Sequence, residues 1–231
     1  MIKSLVLGSG SPRRQELLAL MGLSFEIVVP AVDETPFPAE HPALLAQRLS
    51  LAKASFVAEA YPESLVIASD TLVVLDNRIF GKPPSVSAAF EMLVQLRNRE
   101  HLVYSGLALV DPSLQWRCAQ VAVTSVLMRD YSDEEIAQYV VTGKPFDKAG
   151  AYAIQSDGLE PVAQIEGCYA NVMGLPMCHL YRALRARGVP VPVHPLESCP
   201  QAVGEGCISS RGITEAPKKD WCGTIDVGCG K

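Results

Sequence analysis

A short apolar run, Leu5-Val6-Leu7, breaks at Gly8-Ser9-Gly10-Ser11 and is followed at once by Pro12, which opens a helical pattern. An apolar run of this length reads as a buried strand. Proline suits the first helical position, because the N–H it lacks would have no partner there. Leu17, Leu20 and Met21 give the helix an apolar face. A small-residue turn feeding a helix presents free backbone N–H groups and the positive end of the helix dipole. Arg13 and Arg14 stand in the first helical turn, where that dipole disfavours cations. A bound anion would offset the cost; two solvated surface arginines are the plainer reading.

The rest of the chain alternates strands and helices. The first strand is predicted over about residues 2–8 and its helix over about 12–22, with Phe25–Val29 as a second strand. An acidic, proline-rich loop, Ala31 to His41, carries Asp33 and Glu34. A helix from Pro42 to about Tyr61 follows, with Leu44, Leu45, Leu49, Ala52 and Phe56 at helical spacing. Leu65–Ala68 and Leu72–Leu75 are strand-like, and Asp76-Asn77 turns the chain into Arg78-Ile79-Phe80, so Asp70 falls on the first arm of a hairpin. Further elements are a helix at about 86–97, strands at about 101–110 and 116–129, a helix capped by Ser132, and a last helix at about 176–187. This mixture predicts an α/β fold with a mixed sheet. From about Gly188 periodicity disappears, so residues 189–231 read as a poorly ordered extension beyond a domain of residues 1–188.

Composition excludes several functions. The 231 residues carry a net charge of −5, so no general basic field attracts nucleic acid or an anionic membrane. No apolar run approaches the roughly 18 residues of a membrane span, and the N-terminal run is too short for a signal peptide. Seven cysteines without an export signal suggest reduced thiols and a cytoplasmic protein. Four of them, Cys199, Cys207, Cys222 and Cys229, lie in the extension without the close pairing a zinc site shows. Arg13 takes the third glycine position of a dinucleotide fingerprint, Gly81-Lys82 lacks the rest of a P-loop, and no GxSxG or HExxH occurs.

What remains is a set of carboxylates and cations at element ends and loops: Asp33, Glu34, Lys53, Asp70, Lys82, Asp147 and Lys148. Asp70, inside an apolar strand, is costly to bury without a partner. A hard metal ion rewards such a group, and lysines and arginines would neutralise a polyphosphate. Carboxylates, a divalent ion and several cations are the equipment of phosphoryl or nucleotidyl chemistry.

The segments Gly8-Ser9-Gly10-Ser11-Pro12-Arg13-Arg14-Gln15-Glu16-Leu17-Leu18, Val32-Asp33-Glu34 and Arg48-Leu49-Ser50-Leu51-Ala52-Lys53-Ala54 resemble signatures of the Maf family of nucleotide pyrophosphatases. So do Ala68-Ser69-Asp70-Thr71, Gly81-Lys82-Pro83, Asp147–Gln155 and Val172–Pro176, in the family's order across residues 1–188. The resemblance implies an elongated mixed sheet with two lobes around a nucleotide cleft, similar to the inosine-triphosphate pyrophosphatases. It also implies release of pyrophosphate from a nucleoside triphosphate with Mg²⁺ or Mn²⁺, commonly in a homodimer. Carried over residue by residue, Asp70 is the general base or a metal ligand and Glu34 helps hold the metal. Ser9, Arg13, Arg14, Lys53 and Lys82 grip the triphosphate. Arg13, Thr71 and Gln155 resemble the branch that takes dTTP and UTP, whereas Val32–Pro36 resembles the branch that takes 7-methyl-GTP. A nucleotide-binding regulator of cell division without turnover is the rival class; the presence of Asp70, Glu34 and Lys82 speaks against it.

Overall fold

The computed structural model describes residues 4–155, 158–200 and 207, and the backbone of 225–226. The chain runs through β1 (Leu5–Leu7), α1 (Pro12–Leu20), β2 (Glu26–Ile27), α2 (Pro42–Ala60), β3 (Leu65–Leu75), β4 (Arg78–Phe80), α3 (Val86–Leu96), β5 (Glu100–Asp111) and β6 (Trp116–Met128). It continues with α4 (Asp133–Val140), β7 (Val162–Glu166), α5 (Tyr169–Met173), α6 (Met177–Ala186), α7 (Pro195–Ser198) and β8 (Ile225–Asp226). One mixed sheet has the order β2-β1-β3-β5-β6-β7, with β4 on β3 and β8 on β6. β1 is parallel to both β2 and β3, and the long strands β3, β5 and β6 are antiparallel neighbours. The expected α/β class with a mixed sheet is what the chain adopts.

The connections around β1 decide where a ligand can enter. From β1 the chain crosses to β2 through α1, then returns past β1 to β3 through α2. α1 packs with Leu5, Leu7, Leu65 and Ile67 on one face of the sheet, and α2 packs with Val6, Val66 and Ala68 on the other. Such a reversal of direction at one strand leaves a crevice beyond its carboxyl end. Register widens it. β1 pairs with β3 only at Leu65–Ile67, and β4 pairs with β3 only at Val73–Leu75. Between these stretches one edge of β3 faces a gap, while β5 covers the other edge continuously from Val66 to Val74. The core divides accordingly: α1, α5 and α6 cover one end of the sheet, and α3 and α4 cover the other with Val73, Phe80 and Val126.

α2 lies unusually close to the sheet. A Cβ built on Gly106 of β5 would stand 1.9 Å from the Ala46 carbonyl oxygen and 2.8 Å from Ser50 Oγ. The buried face of α2 is accordingly Ala43, Ala46, Leu49, Ser50, Lys53, Ala54 and Val57. Leu44 and Phe56, expected on that face from spacing alone, are exposed, whereas Leu45 and Leu49 from the same spacing are buried. On α1 the buried set is Leu17, Leu18 and Met21, and Leu20 points outward.

Local capping follows the sequence closely. Ser85 Oγ accepts from Ala88 N at the start of α3, and Ser132 with Glu135 forms a reciprocal capping box on α4. The stretch between Gln155 and Pro176, to which periodicity assigns no element, contains β7 and α5. Both are five residues long, too short for periodicity to register. The first residues after position 188 contribute to the core. Val189, Val191 and Cys199 pack on the core, and Val193 N donates to Met21 O over 3.1 Å. β8 pairs in parallel with β6 at Val121 and Ala122. Cys118 is disulfide-bonded, against the expectation that all thiols are reduced. Cys222 and Cys229 lie outside the described residues. No helix among the described residues is long and apolar enough to cross a membrane.

Two consequences of this packing are measurable. Gly106→Ala must push α2 off β5, so it should cost about 3 kcal/mol or more, read as a lower urea midpoint at unchanged slope. His101 on β5 is 2 % exposed, its Nε2 lies 2.7 Å from Tyr152 Oη, and burial lowers its pKa to about 4. The unfolded chain therefore takes up this proton first. His101's contribution is intact above about pH 6.5 and declines by at most about 3 kcal/mol as pH falls to 4. His101→Gln should flatten the stability profile across that window and leave it unchanged above it.

Candidate active site

The gap along β3 opens into a cleft of about 710 Å³, within the usual size of a small-molecule site. Its walls come from the Gly8–Arg14 turn, Glu34, α2, the middle of β3, Gly81-Lys82, Asp147–Ala149 and Val172–Gly174. Period-two alternation divides three consecutive residues of β3 between the two sheet faces. Asp70 points to the α2 side, while Ser69 and Thr71 point to the side of α1 and α5.

On the α2 side, Lys53 Nζ stands 2.5 Å from Asp70 Oδ1 and 2.7 Å from Glu34 Oε1. The Asp70 and Lys53 side chains are 9 % and 11 % exposed, and that of Glu34 is 60 % exposed. Asp70 is paired across the sheet with Gly106, the residue that admits α2. The same close approach therefore brings Lys53, one turn beyond Leu49 and Ser50, onto the carboxylate. Two carboxylates share one ammonium, so the trio carries net negative charge at the cleft wall.

On the opposite side, Arg14 is an internal fastener. Its Nε donates to Gly174 O over 2.9 Å, one terminal nitrogen to Ser9 Oγ over 3.1 Å and the other to Thr71 Oγ1 over 3.1 Å. Burial lowers the Arg14 pKa, and Asp70 and Glu34 partly offset this. Gly174 closes α5 with φ of 110°, a conformation glycine adopts without strain, and its carbonyl also accepts from Ser69 Oγ over 2.9 Å. Thr71 Oγ1 lies 2.9 Å from Ser105 Oγ, which donates to Asn171 O, so the Thr71 proton goes to Ser105. Thr71 thus has no donor left for a base; it supports Arg14. Ser9 Oγ accepts from Arg14 and from Ser11 N, which leaves its own O–H free to donate.

The remaining cations are less constrained. Arg13 and Lys82 line the cleft, with Lys82 exposed. Lys148 Nζ donates to Asp147 Oδ1 and to Lys144 O, each over 2.5 Å. Burial raises the Asp147 pKa, but the Lys148 hydrogen bond with the charges of Lys148 and Arg13 outweighs it and leaves the carboxyl below its ordinary range. Two candidates fall outside. Asp33 uses its carboxylate on Thr35 N and Oγ1 and does not line the cleft. Gln155 is exposed, away from the cleft, and hydrogen-bonds the Tyr169 hydroxyl. The structure thus joins Ser9, Arg13, Arg14, Glu34, Lys53, Asp70, Thr71 and Lys82, and leaves Gln155 out. Ser69, Ser105 and Asn171, not singled out from sequence, complete the support beneath Arg14. Of these, Ser69 was legible from its alternation with Asp70.

The Maf-like protein family matches residues 4–187. The chain belongs to the Maf family. A relative in Carboxydothermus hydrogenoformans, named dTTP/UTP pyrophosphatase, is 46% identical over 182 residues, covering 79% of this chain and 97% of the relative. A protein of the same name in Syntrophus aciditrophicus is 41% identical over 186 residues, 80% of this chain and 91% of its own. The Staphylococcus aureus Ham1 protein superposes with a TM-score of 0.40 at 16% identity, over 55% of this chain and 73% of that one.

The two neighbouring arginines of this Maf chain should separate cleanly on mutation. Arg14→Ala removes three charged hydrogen bonds from a buried junction. It should cost about 2 kcal/mol or more, lowering Tm by roughly 4–8 °C. Arg13→Ala, which loses no such network, should leave Tm within about 1 °C. Equal melting shifts for both variants would contradict this division of roles.

Proposed function

We propose that the protein is a nucleoside triphosphate pyrophosphatase that converts dTTP and UTP to the monophosphate and pyrophosphate. The observation that carries this is the opposition, across one cleft, of the Asp70–Lys53–Glu34 trio and a wall bearing Arg13, Lys82 and the Ser9 hydroxyl. Water attacks the α-phosphorus, the bond to the bridging oxygen breaks, and pyrophosphate leaves. Asp70 accepts the water's proton. The free N–H groups at the start of α1, with Arg13, Lys82 and Ser9, hold the β- and γ-phosphates and the charge that develops on the leaving group. Lys53, on its flexible stem, moves from the carboxylates to the phosphates as substrate enters.

The donor set suits Mg²⁺ or Mn²⁺: two carboxylates, Glu34 and Asp70, carry more negative charge than Lys53 neutralises, and phosphate oxygens and water would complete the coordination. Such an ion neutralises phosphate charge and acidifies water. The pyrimidine preference is supported by the names of the relatives; Gln155, standing outside the cleft, does not support it.

The test is metal-dependent release of pyrophosphate, as opposed to orthophosphate, from dTTP, UTP, CTP, GTP, 7-methyl-GTP and ITP. Pyrophosphate from dTTP and UTP above the others is expected. Release from 7-methyl-GTP or ITP alone would overturn the pyrimidine assignment, and nucleotide binding without any release would favour a regulator. Asp70→Asn should lower kcat by at least about a thousandfold while nucleotide binding persists. Retained turnover would remove Asp70 from the base role.

A further inference from the structure

The loop that carries Glu34 has no regular structure between Ile27 and Pro42 and is far longer than most connections in compact domains. Glu34 itself is largely exposed. A carboxylate on such a loop reaches Lys53 reliably only if the loop is held elsewhere. The holding group is Arg48 on α2, which the catalytic scheme leaves unused. Its Nε donates to Glu40 Oε1 and a terminal nitrogen to Glu40 Oε2, each over 2.7 Å, in a bidentate pair. The same terminal nitrogen donates to Thr35 O over 3.1 Å, and the guanidinium carbon stands 4.0 Å from the Phe37 ring centroid. Phe37 N in turn donates to Glu40 Oε2 over 3.0 Å.

One guanidinium therefore gathers three points of the loop, the nearest of them adjacent to Glu34. We propose that Arg48 is a positioning residue: it clasps the loop to α2 so that Glu34 is presented to Lys53, Asp70 and the entering nucleotide. This rests on the pyrophosphatase reading and adds to it the residue that fixes the loop bearing Glu34. The clasp joins a fixed helix to a covered carboxylate on the loop. Arg48 belongs to the helix fixed at Gly106, and the Glu40 side chain is only 8 % exposed. The Arg48 hydrogen bond holds the Glu40 carboxyl at a pKa of about 2, so the pair stays charged at neutral and mildly acid pH. Lysine cannot replace Arg48, because it lacks both the fork and the flat surface that covers Phe37.

The test uses the full chain with Arg48→Met, Arg48→Lys and Glu40→Gln, read by amide hydrogen exchange over residues 33–37, by pyrophosphate release from dTTP with Mg²⁺, and by melting. Exchange at the Thr35 and Phe37 amides should rise at least about tenfold in Arg48→Met, the scale of freeing one residue's backbone. KM for dTTP should rise about tenfold while kcat changes by less than about threefold. Arg48→Lys should not rescue either readout, and Glu40→Gln should reproduce the pattern. Unchanged exchange at 33–37 would overturn the clasp. Faster exchange with KM unmoved, or with kcat and Tm falling together instead, would overturn the positioning role. Absence of pyrophosphate release by the unaltered protein would defeat the pyrophosphatase reading alone, and the exchange result would still decide the clasp.

Discussion

The contact between α2 and β5 at Gly106 is the constraint on which the site depends. A helix backbone lying against a sheet with no side chain between them requires a glycine on one partner and small residues on the other. Gly106, Ala43, Ala46, Ser50 and Ala54 meet that requirement. Because Asp70 is the strand partner of Gly106, the closest point of the helix is also the point beside the carboxylate. Lys53 then needs no extended reach to meet it. A bulkier residue at the contact would fill space and also withdraw the ammonium from a carboxylate that would otherwise be buried alone, which is among the costliest arrangements a core can contain.

The opposite face of β3 solves a different problem with the same three residues. Ser69 and Thr71 look away from Asp70 and take part in a network that runs from Arg14 through Thr71 and Ser105 to Asn171, and from Arg14 through Gly174 to Ser69. This network ties the first turn of α1 to β3 and to the end of α5. It holds the free N–H groups of that turn, the Ser9 hydroxyl and Arg13 at a fixed distance from Asp70 without any of them touching it. The two arginines at an unfavourable helix end thus have separate explanations. Arg14 is satisfied internally by neutral oxygen acceptors, and Arg13 lines the cleft.

Much of this was legible in the chain. The strand, turn and helix at the N-terminus, the hairpin bearing Asp70, the cap at Ser132, and the gathering of Glu34, Lys53, Asp70 and Lys82 follow from local pattern and family signature. Apart from β7 and α5, missed because they are too short for periodicity, the differences concern which way a side chain faces or what it meets. Leu44 and Phe56 have helical spacing but lie off the face that a close helix–sheet approach allows. Gln155 sits in a signature segment, yet its amide turns to Tyr169. Thr71 beside Asp70 looks like a substrate contact, yet its hydroxyl proton is committed to Ser105. The segment after Gly188, lacking periodicity, still packs as far as Cys199, because Val189, Val191 and the Val193 amide find partners on the core and on Met21.

The sequence by itself determined the order of the longer elements, the mixed α/β class and the chemical inventory of the cleft, because these follow from periodicity, turn chemistry and residue type, which act over a few neighbouring positions. The tertiary structure alone decided that the carboxylates share Lys53, that Arg14 fastens where Arg13 is free, that Arg48 holds the Glu34 loop, and that Gln155 stands outside. Those outcomes depend on distances between segments far apart in the chain, and such distances are set by how closely a helix can approach a sheet and where one strand stops pairing with the next.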